Sequence, residues 1–279
     1  SRELKAEDRA PQHVVRRQRQ PHSRPARRFI RPVDRLGALV RRAIALGAAL
    51  YRRALSEQGQ GGPLDHRNFT VLAGLLLGAA IGNKAVFLVE RPDVWHRLLA
   101  GEWLLPGQSI VGGLLGGLIG VELAKWLSGQ TRSTGDALVL PLVAGIALGR
   151  VGCFIAGLHD DTYGLPTGLP WGVDLGDGVP RHPSPLYEIV VVLMLGSGLH
   201  ANRERLAGVP GLQFKLFLTA YLLWRLVGDA LKPVRDPYPL GLSGIQWVCL
   251  LALLVYLPIA FRAWLQLRHA STTLAVVNS

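Results

Sequence analysis

From residue 70 onward the chain runs in long apolar blocks separated by short joints rich in polar residues, Gly and Pro. Six blocks, roughly 70–89, 109–128, 136–157, 185–200, 211–231 and 240–265, predict helices. Most approach the ~20 residues needed to cross the hydrocarbon of a bilayer. The fourth is short unless neighbouring residues extend it. Ahead of them, 36–55 (LGALVRRAIALGAALYRRAL) sets Leu36, Leu39, Val40, Ala43, Ile44, Gly47, Leu50 and Tyr51 at helical spacing. Arg41 and Arg42 break that run in the middle, and Arg52 and Arg53 follow it, which predicts a basic helix lying on the membrane surface. Residues 1–35, mostly Arg, Gln, Pro and His, read as disordered. The expected fold class is therefore all-α, a polytopic membrane protein with six to seven transmembrane helices and a small extracytoplasmic loop region. Its expected organisation is a basic tail with interfacial helix over 1–67, a transmembrane domain over 68–268 and a C-terminal tail over 269–279.

Composition agrees. The 279 residues are 49% hydrophobic and 18% charged, against about 25% charged in soluble globular proteins. The net charge of +12 belongs mostly to the tail, because residues 1–67 carry 16 basic against 6 acidic residues and the remainder 15 against 13. An Arg-rich tail without interleaved aromatics fits an anionic membrane face and membrane lipids as partners, and no nucleic acid. Placing the tail in the cytoplasm puts Lys125, Arg132, Arg203, Arg205, Arg262 and Arg268 on the same side, giving an N-in, C-in topology. The longest outside segment is then 158–184, rich in Gly, Pro, Asp and His, and long enough to be functional. Cys153 and Cys249 form no CxxC or His/Cys pair at metal spacing, so neither a disulfide framework nor a zinc site is indicated; no metal and no cofactor are expected.

Charged residues inside apolar blocks cost about 2.5–3.5 kcal/mol each on insertion scales and mark pairing or function. Glu122 and Lys125, three apart, predict a snorkelling pair. Lys84, Arg150, Glu188, Arg225 and Asp229 instead fall at one depth, beneath the outside loop. Arg225 and Asp229, four apart, can neutralise each other. Arg150 has no local partner, and a guanidinium suits bidentate binding of phosphate, which points to a lipid headgroup. The second block carries glycines at 112, 113, 116, 117 and 120, overlapping GxxxG spacings that predict close helix packing. In the loop, His182 is the leading candidate for proton transfer, with His159-Asp160-Asp161 behind it.

The segments GRVGCFIAG, LPWGVDLGDGVPRHPSPLYE and YLLWRLVGDALKPVRDP, followed by GLSGIQ, resemble the bacterial prolipoprotein diacylglyceryl transferase family over roughly residues 70–255. RHPSPLYE is the most specific of them. The resemblance implies a multi-pass enzyme of the bacterial plasma membrane whose site faces the extracytoplasmic side. It implies transfer of a diacylglyceryl group from phosphatidylglycerol to the cysteine thiol of a preprolipoprotein lipobox peptide, with glycerol phosphate leaving. By position it implies catalytic roles for His182, Arg225 and Arg150. It also implies substrate binding by Arg150, Arg181, Arg225, Arg235, Glu188, Tyr187 and Gly164. Asp229 stands where the family usually has Glu, Val111 where it often has His, and Cys153 and Ala156 where it has Asn. A non-catalytic anionic-phospholipid binder or transporter, or a phospholipid transferase with another acceptor, is the alternative that these departures leave open.

Overall fold

The computed structural model describes residues 27–59, 62–102, 107–160, 162–234 and 236–277. Among them the chain is a bundle of α-helices: α1 (Arg27–Glu57), α2 (His66–Glu90), α3 (Pro92–Leu99), α4 (Ile110–Ser128), α5 (Val139–Ala156), α6 (Ser184–Ala201), α7 (Arg203–Leu206), α8 (Leu212–Gly228) and α9 (Gly244–Val277). Five helical stretches are long and apolar enough to cross a membrane: 68–90, 110–128, 136–159, 184–201 and 244–269. The fifth apolar block becomes α8, 17 residues long. It is the most enclosed helix, with Leu212, Phe217, Leu218, Tyr221 and Leu222 fully buried. Around it α5, α6 and α9 contribute Val143, Ile146, Val192, Cys249 and Leu253 to one core. Leu76, Leu77 and Ile81 on α2, Ile119 and Leu123 on α4 and Leu254 and Val255 on α9 point outward and exposed, the arrangement expected where lipid is the solvent.

Two findings go beyond the sequence pattern. The first is that α1 begins at Arg27, inside the stretch that reads as disordered, because arginine is a good helix former and the chain there leads directly into the apolar face. Its last turns do not lie free: Tyr51 and Leu55 are buried against Ala137 and Leu138 in the short turn that leads into α5, with Leu72 and Leu75 of α2 packed alongside. Arg41, Arg42, Arg52 and Arg53 point away, exposed. Residues 1–26 lie outside the described residues.

The second is the partner of the glycine face of α4. Gly74, Gly78 and Gly82 of α2 meet Gly120, Gly116 and Gly112 of α4 in antiparallel order. A Cβ built on Gly78 would collide with the Gly116 carbonyl oxygen, and one on Gly116 with that of Gly78. Only a residue without a side chain lets two backbones approach so closely. Ser109 starts α4, its hydroxyl accepting from the Gly112 N–H at 3.3 Å.

The helix ends fix two faces. At one, the Asp136 carboxylate accepts from the N–H groups of Gly211 (2.7 Å) and Phe214 (3.0 Å), anchoring the start of α8. At the other lies the loop 157–183, organised by a two-stranded ribbon, β1 (Val173–Asp174) and β2 (Pro180–Arg181), antiparallel with Val173 opposite Arg181. Leu165 N–H donates to the Leu231 carbonyl at 2.8 Å and His182 N–H to the Leu165 carbonyl at 3.0 Å, so the loop is stitched to the chain leaving α8.

Candidate functional site

At this loop end, the buried charges of three helices join into one network. Glu188, in the second turn of α6, is 1% exposed. Its Oε2 lies 2.9 Å from Arg150 Nε on α5 and 3.1 Å from Arg225 Nη1 on α8. Its Oε1 accepts from the Tyr221 hydroxyl at 2.6 Å. Arg225 Nη2 donates to Asp229 Oδ1 at 3.0 Å. Ser243 Oγ donates to Asp229 Oδ2 at 2.5 Å. Tyr221, Arg225, Asp229 and Lys232 follow at steps of four, four and three, which keeps them on one side of α8 and of the turn that continues it.

The GLSGIQ segment acquires its structural reason here. Ser243 and Gln246 form a reciprocal cap at the start of α9: Gln246 N–H donates to Ser243 Oγ at 3.1 Å and Ser243 N–H to Gln246 Oε1 at 2.9 Å. Gln246 Nε2 also donates to the Leu226 carbonyl at 3.0 Å, tying α9 to α8 beside Asp229.

Three cations, Arg150, Arg225 and Lys232, thus stand against two carboxylates, Glu188 and Asp229. A third carboxylate, Glu90, lines the same cavity as Lys232, which is 8% exposed. Its Nζ makes no hydrogen bond among the described residues, and Asp229 Oδ1 is 3.6 Å away. Burial first, and then the Arg225 and Arg150 guanidiniums, push the Lys232 ammonium down to about 8. Lys232 lines a cavity of about 310 Å³, walled also by Phe87, Glu90, His159, Asp160 and Gly244. That volume lies at the lower edge of the ~300–1,000 Å³ typical of small-molecule sites. A buried amine with unused donors facing such a space is suited to an anion.

The remaining candidates sort as follows. Lys84 donates to the Gly107 carbonyl at 3.0 Å instead of joining the network. Lys125 and Glu122 pair at 3.0 Å. His182 Nδ1 lies 3.2 Å from the Tyr187 hydroxyl, which also accepts from Trp171 Nε1 at 2.8 Å. His182 and Arg181 line a second, small cavity with Cys153 and Tyr163 and do not border the larger one. Arg181 Nη2 donates to Asp177 at 2.6 Å and stacks 5.2 Å from the Tyr163 ring centre, and its hydrogen bond holds the Asp177 carboxyl below the usual range. A Cβ on Gly164 would collide with the His182 carbonyl, so glycine there sets the His182 backbone. Arg150 Nη1 lies 3.8 Å from Cys153 Sγ. Val111 is fully buried in the core. Arg235 and Asp161 lie outside the described residues.

Two residues escaped sequence reasoning. Lys232 reads as a loop charge, although its i+3 spacing from Asp229 was the available signal. Glu90 falls just past the first apolar block, 70–89, with no signal in the sequence for the cavity it borders.

The fold is that of an all-α, multi-pass membrane protein with a buried ionic network beside a cavity lined by a buried lysine. The chain belongs to the prolipoprotein diacylglyceryl transferase family, whose model matches residues 31–262. It is 36% identical over 235 residues (77% of this chain, 82% of the relative) to a phosphatidylglycerol–prolipoprotein diacylglyceryl transferase of Nitratidesulfovibrio vulgaris strain Hildenborough. It is 32% identical over 240 residues (79% and 83%) to the protein of that name from the Miyazaki F strain. It is also 32% identical over 254 residues (82% and 84%) to the one from Nitrobacter winogradskyi.

Proposed function

We propose that this protein transfers the diacylglyceryl group of phosphatidylglycerol to the lipobox cysteine of a preprolipoprotein, at the extracytoplasmic face of a bacterial plasma membrane. The observation that carries the reading is Lys232, a buried amine without a hydrogen bond among the described residues, lining the 310 Å³ cavity. Lys232 holds the phosphate of the headgroup. Arg150 and Arg225 act from behind, through Glu188 and Asp229, setting the position and potential of that contact. As the bond between the diacylglyceryl carbon and the phosphate oxygen breaks, negative charge grows on that leaving oxygen, where a fixed cation in a site poor in water lowers the barrier most. Gly164, Arg181, His182 and Tyr187 shape the loop that covers the reaction. The cysteine thiol reaches the cavity from the solvent side.

The test is release of glycerol phosphate from phosphatidylglycerol by the purified protein in proteoliposomes, with and without a lipobox peptide. Peptide-dependent release is the expected result. Release without peptide means a different acceptor, and binding of the lipid without release means a non-catalytic binder. Lys232→Ala weakens phosphatidylglycerol binding by about 10–100-fold, the loss of one charge-assisted contact. Binding unchanged in that variant removes the phosphate from this cavity.

A further inference from the structure

Four carboxylates border the larger cavity: Glu90, Asp160, Asp229 and Asp236. Asp229 is already engaged by Arg225 and Ser243, with Lys232 nearby. Asp160 Oδ1 accepts from the Thr162 N–H at 3.2 Å, stabilising its own turn. Asp236 lies on the connecting segment between α8 and α9, beyond the Leu165–Leu231 stitch. Glu90 differs from Asp229 and Asp160 in having no partner among the described residues, and from Asp236 in standing at a helix end rather than on a loop. It ends α2, whose glycine seam with α4 holds that helix firmly. The backbone of Gly244 abuts it, since a Cβ there would stand 3.0 Å from Glu90 Cα. Its carboxylate is half-buried and makes no ion pair or hydrogen bond among the described residues. His159, the one imidazole on the same wall, is exposed to solvent. A group fixed on a helix end is held more accurately than one on a loop, and a proton acceptor in a site must first be within reach of the proton.

We propose that Glu90 is the general base that takes the proton from the acceptor thiol. This rests on the transferase reading above. The thiol S–H bond breaks, and its proton passes to the Glu90 carboxylate. The sulfur electron pair forms a C–S bond at the glyceryl carbon that bears the phosphate. The C–O bond on the phosphate side breaks, and its electron pair leaves with the phosphate oxygen beside Lys232. Glu90 then returns the proton to the released glycerol phosphate or to water, so the carboxylate is restored and no other reactant is consumed. Glu90 and Lys232, both lining the cavity, thereby divide the work, one at the entering sulfur and one at the leaving phosphate.

The experiment measures turnover of wild type, Glu90→Gln and Glu90→Asp in phosphatidylglycerol proteoliposomes with a lipobox peptide, between pH 6 and 9. Glu90→Gln is expected to lower kcat at pH 7 by on the order of 100-fold, with KM for the lipid within about twofold. Its residual rate rises about tenfold per pH unit until the thiol ionises by itself near pH 8.5, a climb that wild type and Glu90→Asp do not share. Wild-type turnover and an unaltered pH profile in Glu90→Gln overturn the proposal. So does a loss of turnover that is equal at every pH and accompanied by loss of lipid binding, because that is a structural defect. Wild-type protein that releases glycerol phosphate without peptide, or none at all, overturns the transferase reading itself, before any variant is compared.

Discussion

Glu188 carries more of the site than its neighbours because it is the shared counter-ion of two guanidiniums and the acceptor for a phenol. Converting it to Gln removes the anion between Arg150 and Arg225 and leaves two like charges buried side by side. The expected loss of stability is about 3–5 kcal/mol, the usual result of breaking a buried pair from one side, read as a lowered unfolding midpoint in detergent. Tyr221→Phe deletes one hydrogen bond and leaves both ion pairs, so it should cost only about 1 kcal/mol in the same assay. Lys232 gives the site a pH dependence. It faces Arg225, Arg150, Asp229 and Glu188 from the network, Glu90 and Arg91 from α2, and His159, Asp160 and Asp236 from the loops. Its ammonium titrates at about 8 rather than the ordinary 10.5. The unfolded lysine holds its proton more tightly, so Lys232 opposes folding at pH below 8, and that penalty disappears as pH rises toward 10.5. Anion binding runs the other way, being fully present below about 8 and lost above it. Affinity for short-chain phosphatidylglycerol should therefore fall from pH 7 to 9 in wild type and stay level in Lys232→Arg.

At the level of helices, the apolar blocks were legible because lipid and core both demand uninterrupted apolar runs, and α2, α4, α5, α6 and α9 each coincide with one. What one sequence cannot display is which faces meet. The GxxxG spacing on α4 was readable, but its match with Gly74, Gly78 and Gly82 of α2 depends on register across two helices. The charged residues in spans were likewise legible by their cost, while their pairing was not. Lys84 turned to a carbonyl, and Lys232, outside the apolar block, joined in its place. α1 extends beyond the expected 36–55 because residues 27–35 read as disordered by composition, and the cover that Tyr51 and Leu55 find against Ala137 and Leu138 is not visible in one sequence. The seam itself can be tested. Gly78→Val or Gly116→Val forces a side chain into the opposite backbone, with an expected loss of folded protein in membranes. Gly145→Val on α5, where nothing lies within 4 Å of an added Cβ, should be tolerated. Comparing their detergent-extracted yields checks this.

Taken as a whole, the molecule concentrates its polar chemistry at one end, where the ribbon loop, the network and the cavity coincide. The orientation proposed for that end predicts that Gly168→Cys, an open loop position, is labelled by a membrane-impermeant maleimide from outside intact cells above the wild-type level. Labelling only after cell lysis would reverse the topology. The glycine seam has a consequence for how this chain can change over generations. In an ordinary core, a residue that grows can be accommodated by a facing residue that shrinks, and such compensated pairs are how packing drifts. Across α2 and α4 the facing residue is already the smallest available, so no suppressor of an enlarged seam residue can arise directly opposite it. Revertants of a Gly78 or Gly116 lesion should restore the glycine itself, and the spacing should stay fixed while the surfaces around it vary.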